Sequence, residues 1–464
     1  MSESVTSTSA LTGTELPHIV VTPPGPRSRS LMQRLREVES RNITYSDEQF
    51  PVFFERGAGA NLVDVDGNRY VDLTAAFGVA ATGHSNPAVV QAVNDQAALL
   101  LHGIGDVHPN EVKVALSEKL CALAPGSEPK RSILSSTGAE AVESALKTAM
   151  LASGKPGVVC FTGAYHGLTY GTLEVTDRDF FRAPFRGQLA TFGSRVPYAY
   201  CYRCPLSLTY PECENACLSF VEEALSGEAG GHIGAVLVEA VQGRGGVVNA
   251  PFDWLLELRE LCDRRKLLLI VDEVYTGFGR TGRWFACEHA GVEPDLICVG
   301  KGMASGFPIS ACIGKASVMD AWPKSDGEAI HTSTFLGQPT GCAAALASIA
   351  EIERLGLVER AAGLSKLVER YLKELSEKVG PPIGDVRGCG LMWGVELIKE
   401  DGSGNRALAS AAVVGALERG VVALAGGPDC HVLSLSPPLV ITEAQLEFAI
   451  GALGDALENA VLRA

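Results

Sequence analysis

The chain has 464 residues, of which 46% are hydrophobic and 20% are charged, and its formal net charge is −15. This composition is ordinary for a globular protein, and the length suffices for a large core and more than one domain. The acidic balance argues against a generic surface for nucleic acid or anionic membranes, and the apolar runs are far shorter than the roughly 20 residues that a membrane helix needs. We therefore expect no nucleic-acid partner and no membrane partner.

The N-terminal part of the chain is predicted to contain a tail and a hairpin. Residues 1–20 include a Ser- and Thr-rich start with neither a basic nor an apolar signal region, so we expect a flexible tail and no export signal. Two segments of alternating polarity flank Asp66 and Gly67, a dipeptide typical of tight hairpin turns. We assign residues 21–87 to the N-terminal segment of a small domain.

The middle of the chain, residues 88–345, alternates helical patterns with short apolar segments and is predicted to be a large domain. The apolar segments read SILSS, GVVCF, GAVLVEA, LLLIVDE, LICVG and SACIG. Apolar strands linked by helical crossovers are typical of an α/β domain with a largely parallel sheet that is buried on both faces. The pattern changes after this domain, and we expect residues 346–464 to form the C-terminal part of the small domain, of α+β type.

The loops that follow the first two predicted strands carry candidate binding residues, because ligands bind at that edge of a parallel sheet. After SILSS, Gly138 and Ala139 open a helix whose free N–H groups would attract an anion, although plain helix capping explains the same residues. After GVVCF, Tyr165 and His166 lie in a glycine-flanked loop, where an aromatic ring could stack on a flat ligand or pack in the core.

A short loop rich in Pro and Tyr holds four of the thirteen cysteines: Cys201, Cys204, Cys213 and Cys217. The CxxC and CxxxC spacings suit a tetrahedral thiolate site for zinc, but the cysteines of an insertion loop can also simply pack. The other nine are scattered, many of them in apolar contexts. They are typical of reduced thiols, so we expect a cytoplasmic location.

Two acids and a lysine follow the next two predicted strands. Asp272 and Glu273 come after LLLIV, and a buried carboxylate is costly unless a cation meets it. Lys301 comes after LICVG, between two glycines. A flat cationic pyridinium between these strand ends would pair with Asp272, and its aldehyde carbon would form an imine with Lys301. Pyridoxal 5′-phosphate has this chemistry, and the alternative of two unrelated loop residues is less favoured.

The chain resembles the class III, or omega-type, aminotransferases among the fold-type I pyridoxal phosphate enzymes, from about Gly25 to the C-terminus. The similar stretches include STGAEAVESALKTA, VLVEAVQGRGG, VDEVYTGFGRTG and PDLICVGKGMASGFPISACIG. The resemblance implies an α/β fold with a mostly parallel seven-stranded sheet beside a smaller α+β domain. It also implies a homodimer that shares its active sites and acts on a small amine or amino acid and an oxo acid.

The resemblance gives roles to the residues of these motifs. Lys301 would form the Schiff base through which the amino group moves, Asp272 would pair with the pyridine nitrogen, and both are catalytic. Thr334 would contact the phosphate of the neighbouring subunit, and Glu239 matches a glutamate that switches position near the cofactor. The cofactor-binding set is Gly138, Ala139, Tyr165, His166, Asp272, Val274, Lys301 and Thr334. The substrate set is Phe77, Glu239 and Arg244.

Four positions depart from the family and bear on the substrate. Two arginines that commonly bind carboxylates are replaced, by Ser434 and by Leu168. The acid of the usual VQGEGG motif is Arg244, and the usual glutamine after DEV is Tyr275. Without both guanidinium groups, we expect 2-oxoglutarate to be a poor acceptor relative to pyruvate. Relatives that racemise or epimerise amino acids need no acceptor, and a racemase is the alternative interpretation.

Overall fold

The computed structural model describes residues 11–47 and 49–463, so residues 1–10 of the predicted tail lie outside the described part. The strands are β1 (Phe54–Ala58), β2 (Asn61–Asp64), β3 (Arg69–Asp72), β4 (Lys130–Ser135), β5 (Gly157–Phe161), β6 (Gly193–Val196), β7 (Ile233–Val238), β8 (Val241–Gln242), β9 (Val248–Asn249), β10 (Leu268–Asp272), β11 (Leu296–Val299), β12 (Ser310–Lys315), β13 (Ile383–Cys389), β14 (Met392–Leu397), β15 (Val421–Val422), β16 (Leu424–Gly426) and β17 (Val432–Leu435). The helices are α1 (Pro26–Val38), α2 (Ala75–Gly78), α3 (Pro87–Leu99), α4 (Glu111–Leu123), α5 (Gly138–Ser153), α6 (Tyr170–Val175), α7 (Asp179–Arg182), α8 (Ser219–Ala224), α9 (Gly227–Gly230), α10 (Phe252–Arg265), α11 (Ala316–Met319), α12 (Pro339–Arg354), α13 (Leu357–Val379), α14 (Arg406–Glu418) and α15 (Glu443–Arg463). None of the described helices is both long and apolar enough to cross a bilayer.

The largest sheet has seven strands in the order β4-β12-β11-β10-β7-β5-β6. The neighbours from β11 to β6 run parallel to one another, whereas β12 is antiparallel to both of its neighbours. Strands β5, β7 and β11 are buried along their whole length, as expected for a sheet with both faces covered. The predicted α/β fold with a mostly parallel seven-stranded sheet is confirmed.

The six apolar segments identified in the sequence are strands β4, β5, β7, β10, β11 and β12 of this sheet. The seventh strand, β6, was not predicted. It lies at the edge of the sheet, and its sequence GSRV contains a single apolar residue. An edge strand of this composition carries no periodic apolar signal, so the sequence does not distinguish it from a loop.

Two smaller sheets join segments that are distant in the sequence. β1, β2, β3 and β15 form one of them, in which β15 from the C-terminal region runs parallel to β3. β13, β14, β17 and β16 form the other. β2 and β3 pair as an antiparallel hairpin around Asp66 and Gly67, which confirms the predicted hairpin. The domain boundaries at 20/21, 87/88 and 345/346 remain predictions.

Residues 12–20 are held against the first of these smaller sheets. The backbone of His18 pairs with that of Arg69 through two hydrogen bonds of 2.9 and 2.8 Å. The carbonyl oxygen of Gly13 accepts the N–H of Ala60 at 3.0 Å. The expectation of a flexible tail is therefore wrong for these residues, because their backbone groups find partners on a sheet edge that composition does not reveal.

Candidate active site

A cavity of about 480 Å³ opens at the carboxyl ends of β4, β5, β10 and β11. Ligands bind at this edge of parallel sheets, and the volume suits a small flat ligand. Ser136 and residues 306–309 also line it, and sequence reasoning missed them, although the glycine-rich GMASGFP stretch signals a loop there. The sequence-predicted residues that line the cavity are Gly138, Ala139, Tyr165, His166, Glu239, Arg244, Asp272, Val274 and Lys301.

The N-terminus of α5 forms one side of the cavity. Thr137 caps this helix: its Oγ1 accepts the N–H of Glu140 at 3.3 Å, and the Glu140 carboxylate accepts the N–H of Thr137 at 3.0 Å. This reciprocal pair fixes the first turn, which contains Gly138 and Ala139. A Cβ on Gly138 would lie 2.7 Å from Cγ1 of Val274, so the close approach requires glycine. The helix start is as predicted, and its N–H groups suit an anion.

Asp272 is buried at the end of β10 and is held by two hydrogen bonds. Its Oδ2 accepts Nδ1–H of His166 at 2.8 Å, and its Oδ1 accepts the N–H of Val274 at 3.0 Å. The other ring nitrogen of His166, Nε2, is buried and has no hydrogen-bond partner among the described residues. The carboxylate is therefore fixed in orientation, and its oxygens can still accept a further hydrogen bond from a ligand in the cavity.

Lys301 follows β11 and extends its side chain into the same cavity. Its backbone has φ = 38°, a left-handed value that residues with a side chain rarely adopt. Its Nζ lies 4.0 Å from the centre of the Tyr275 ring. Burial lowers the pKa of Lys301 to about 8, although the carboxylates of Asp272 and Glu239 act in the opposite direction. Much of the amine is therefore neutral near pH 8, and the neutral form is the nucleophile.

The ring of Tyr275 forms the wall of the cavity that the Lys301 amine contacts. A Cβ on Gly243 would lie 2.2 Å from Cδ1 of the tyrosine ring, and a Cβ on Gly78 would lie 2.5 Å from Cε2. The phenol oxygen lies 2.9 Å from Oγ of Ser436. The ring fits because Gly243 and Gly78, which have no side chain, lie beside it. The hydrogen bond of its phenol group with Ser436 fixes its position.

Glu239 joins two of the loops that line the cavity. Its Oε2 accepts the N–H of Tyr165 at 3.1 Å, and its Oε1 accepts the N–H of Gly243 at 3.2 Å. Burial raises the pKa of Glu239 to about 7, and these N–H groups together with His166 limit the rise. The side chain therefore titrates near neutrality while it holds the Tyr165 loop in place.

Glu273, the second acid at the end of β10, is not part of the cavity lining. Its carboxylate accepts the N–H of Ala286 at 3.0 Å, the N–H of Cys287 at 2.8 Å and the hydroxyl of Thr276. Burial raises the pKa of Glu273 to about 7 in spite of these donors. Backbone N–H groups, and not a cation, therefore satisfy this buried acid.

Two sequence-predicted residues lie outside the main cavity. Phe77 lines a smaller adjoining cavity of about 20 Å³, together with Arg244, Tyr275 and Ser434. Thr334 is exposed and does not line the cavity of its own chain. Phe77 therefore lies next to the site, whereas the role predicted for Thr334 stays a prediction.

The four-cysteine loop is separate from this site and surrounds a cavity of about 20 Å³, which it shares with Tyr, Pro and Leu side chains. Burial raises the pKa of the Cys217 thiol to about 11, and the other three thiols add to the rise. No group of three or more His, Cys, Asp or Glu side chains within the described residues is arranged to hold a metal ion. The zinc hypothesis for Cys201, Cys204, Cys213 and Cys217 therefore finds no support, since the thiols pack in a small apolar pocket.

Pyridoxal 5′-phosphate needs an amine for its aldehyde carbon, an acid for its ring nitrogen and hydrogen-bond donors for its phosphate. Lys301, Asp272 and the first turn of α5 offer these three groups around one cavity. His166 orients the Asp272 carboxylate, which suits a cationic ring. Gly138 lets the backbone approach closely, which suits a flat, anionic ligand. The residues present thus fit the cofactor, and the fold and the site together define a pyridoxal phosphate enzyme.

Comparisons with known proteins identify the family. A family model described as "Aminotransferase class-III" matches residues 43–457. A "4-aminobutyrate aminotransferase" of Mycobacterium bovis is 40% identical over 441 residues, which cover 91% of this chain and 94% of the relative. An "Alanine/serine racemase" of Pyrococcus horikoshii is 34% identical over 452 residues, which cover 96% of this chain and 93% of the relative. The crystal structure of an omega transaminase from Pseudomonas jessenii in complex with PMP is similar with a TM-score of 0.86 at 26% identity, covering 93% of this chain and 98% of that one.

The chain belongs to the class III aminotransferase family. It is a pyridoxal phosphate-dependent aminotransferase, with the α/β fold of the fold-type I enzymes. The sequence predictions of family, cofactor and activity are therefore confirmed, whereas the roles of the individual site residues are still predictions.

Proposed function

We propose that Lys301 is the residue with which this aminotransferase holds its cofactor and moves protons, as an amino group passes from an amine or amino acid to a 2-oxo acid. The proposal is based on one observation: Lys301 and Asp272 line the same cavity, at the ends of the adjacent strands β11 and β10. Burial keeps the amine partly neutral, and His166 orients the carboxylate. The partly neutral amine of Lys301 and the oriented carboxylate of Asp272 support this proposal.

The proposal gives a task to several residues of the cavity. The bound cofactor supplies an electron sink for the substrate carbon that loses its proton. Nζ of Lys301 takes that proton from the substrate carbon that bears nitrogen and would deliver it to the carbon of the cofactor that carried the aldehyde. Asp272 keeps a positive charge on the ring nitrogen, and the first turn of α5 binds the phosphate. Tyr165 and Val274 would bracket the ring.

We propose a homodimer with shared active sites. Residues 99–107 and 330–335 contact each other, with the rings of His102 and Phe335 5.3 Å apart, and we call them the apolar surface. A contiguous exposed apolar patch typically marks an interface. Thr334 is exposed within this surface, where it could contact a phosphate bound by a second subunit. The large exposed hydrophobic residues of the surface are Leu99, Leu100, Leu101, Ile104, Val107, Ile330 and Phe335.

The cytoplasm is the proposed compartment of the enzyme. All thirteen cysteines are free thiols, and free thiols persist in reducing compartments. Several of them are deeply buried, and burial raises the pKa of the Cys160 thiol to about 12. Such thiols are inert parts of the core and give no reason to expect disulfides.

Amino-acid racemisation is the second candidate function. Its support is the similarity to the alanine/serine racemase of Pyrococcus horikoshii, together with Ser434 at a position where an arginine is common in the family. Both reactions would begin with proton removal by Lys301. They differ in the later steps, because racemisation needs no acceptor and changes the configuration of a single amino acid.

The two functions are separated by product analysis of the holoenzyme. Each amine or amino acid is incubated alone, with pyruvate and with 2-oxoglutarate, and the products are resolved by chiral chromatography. We expect amino transfer that depends on an acceptor, with pyruvate preferred to 2-oxoglutarate. Racemisation without an acceptor, at a rate that matches or exceeds transfer, would make the second function the primary one. Lys301→Ala should abolish both reactions.

A further inference from the structure

Arg244 is a half-buried cation that has no anionic partner among the residues the structure describes. Its guanidinium carbon lies 5.1 Å from the centre of the Phe77 ring and 5.5 Å from the centre of the Tyr165 ring. Its Nε is buried without a hydrogen-bond partner, and Arg244 forms no ion pair with any described residue. The side chain lines both the main cavity and the smaller adjoining one. A guanidinium in this position is costly unless a ligand supplies negative charge.

The loop that carries Arg244 is fixed by a second arginine. Arg387 donates from Nη2 to the carbonyl oxygen of Gly246 at 2.6 Å and from Nε to that of Val247 at 2.9 Å. Arg387 is itself held by an ion pair of 2.8 Å with the buried carboxylate of Glu396. The backbone just after Arg244 is therefore held in place, and the Phe77 and Tyr165 rings contact the guanidinium at the cavity.

The turn that carries Phe77 has an unfavourable backbone conformation. Ala75, Ala76 and Phe77 have φ values of 46°, 51° and 61°, in the left-handed region that favours glycine. The turn leaves the Phe77 side chain 41% exposed, with its ring on Arg244 and not in the core. Backbone strain of this kind persists where the surrounding structure enforces it, and it concentrates at ligand sites.

We propose that Arg244 binds the carboxylate of the substrate, and that the amino donors and oxo acids of this enzyme carry one such group. The proposal deepens the proposed amino transfer and rests on it. The rings of Phe77 and Tyr165 lie 5.1 and 5.5 Å from the guanidinium carbon, and neither ring neutralises its charge, so its N–H groups suit a planar carboxylate. A guanidinium that already contacts two aromatic rings loses less conformational freedom when an anion binds than a free one would.

The charges around the two cavities favour a single carboxylate. Among the described residues that line them, Arg244 and Lys301 are the only arginine or lysine side chains. Lys301 is committed to the cofactor in the proposed function, and Ser434 contributes a hydroxyl group without charge. A second substrate carboxylate would be desolvated without a cation. Monocarboxylic amino acids and oxo acids should therefore be preferred to dicarboxylates and to amines without an acid group.

The test compares donors with and without a carboxylate in the first half of the reaction, in the absence of an acceptor. The pairs are 4-aminobutyrate with butan-1-amine and alanine with ethylamine. Single-turnover changes in the absorbance of the holoenzyme give the apparent affinity of each donor for wild type, Arg244→Gln and Arg244→Lys. Arg244→Gln should weaken binding of the acid in at least one pair by about 10- to 100-fold and leave its amine counterpart unchanged. Arg244→Lys should recover part of the loss.

The control is Arg370→Gln, because Arg370 is also stacked on an aromatic ring, that of Tyr371 at 5.2 Å, but lies in α13 outside the cavity. This variant should behave as wild type with all four donors. A readout that does not depend on turnover is calorimetric titration with butyrate, an unreactive monocarboxylate. Its affinity should fall in Arg244→Gln by the same factor as that of the donor acid.

The proposal is overturned if Arg244→Gln affects acids and amines equally, or if it affects neither pair and leaves butyrate binding intact. A wild-type enzyme that accepts an amino group from no donor would instead contradict the proposed amino transfer. In that case the butyrate titration still decides whether Arg244 is the carboxylate-binding residue.

Discussion

Burial gives Lys301 an amine that is partly neutral, and so reactive, near pH 8. The charged form loses hydration in the cavity, and the pKa falls from 10.5 to about 8 although Asp272 and Glu239 favour the charge. The amine is protonated below that value and neutral above it. The rate at which pyridoxal phosphate attaches to the apoenzyme should therefore rise with pH through about 8 and then level off. Stopped-flow absorbance between about pH 6.5 and 10 measures this, and a rate that still rises steeply at the upper end would contradict it.

Asp272 should matter for proton removal more than for cofactor retention. Asp272→Asn keeps the shape of the side chain but removes the charge opposite the ring nitrogen, so we expect proton removal to slow by at least about tenfold, or roughly 1.4 kcal/mol of barrier. The absorbance of the bound cofactor should persist, because Lys301 and α5 are unchanged. Glu273→Gln is the control, since Glu273 does not line the cavity. A smaller loss of rate in Asp272→Asn would refute the assigned role.

Candidate site residues could be predicted where they follow an apolar strand. Asp272 and Lys301 have this position, and the structure places both in one cavity. The wall that Tyr275 forms could not be predicted, because it depends on contacts with Gly78 and Gly243, which are distant in the sequence. Glu273 looked like an acid in need of a cation, but it accepts backbone N–H groups, which a sequence does not display.

At the level of elements, Glu273 ties the end of β10 to the turn at Ala286 and Cys287. Glu273→Ala leaves two buried N–H groups without acceptors, so the free energy of unfolding should fall by about 1–3 kcal/mol. The pKa of Glu273 is raised from 4.5 to about 7, so its contribution is complete below pH 4.5 and declines as the pH rises to about 7. Urea unfolding of the apoenzyme should therefore show a larger deficit at low pH than at high pH.

The matched variant for this experiment is Glu273→Gln, which keeps an acceptor oxygen but does not titrate. Its difference in stability from Glu273→Ala should be the same at every pH. A deficit of Glu273→Ala that grows as the pH rises would mean that the carboxylate is stabilised in its charged form, contrary to the effect of burial on its pKa.

Elements were predicted well where both faces of a strand are buried, and poorly elsewhere. β5, β7 and β11 are continuous apolar runs in the sequence and buried strands in the structure. β6 was not predicted because this edge strand contains a single apolar residue and so gives no periodic apolar signal. The order of residues 12–20 was not predicted because it depends on pairing with β3. The metal site suggested by the four-cysteine spacing stays a prediction, which the arrangement of the described side chains does not support.

For the whole molecule, the proposed dimer makes the apolar surface essential for activity. Leu101→Lys combined with Phe335→Lys places charges where two subunits would pack, so we expect a monomer by light scattering after gel filtration. Activity should be lost as well, because Thr334 could no longer reach a second subunit. Leu462→Lys, at an exposed position of α15 outside this surface, should remain dimeric and active. A fully active wild-type monomer would contradict the shared site.

The family and the architecture could be read from motifs, because strand ends, glycine-rich loops and the reactive lysine recur at fixed spacing along one chain. The number of subunits could not be derived from residue patterns, because the proposed interface consists of segments, 99–107 and 330–335, that only the fold makes adjacent. The substrate could likewise not be predicted, since the contacts of Arg244 with Phe77 and Tyr165 join three segments that are distant in the sequence.

The most direct test of the account is to locate the lysine that holds the cofactor. The holoenzyme is reduced with borohydride, digested and analysed by mass spectrometry, with Lys301→Ala treated in parallel. The account predicts one modified peptide, which contains Lys301, and no modified peptide in the variant. Modification of a different lysine in the wild type, or an unchanged modified peptide pattern in Lys301→Ala, would contradict it.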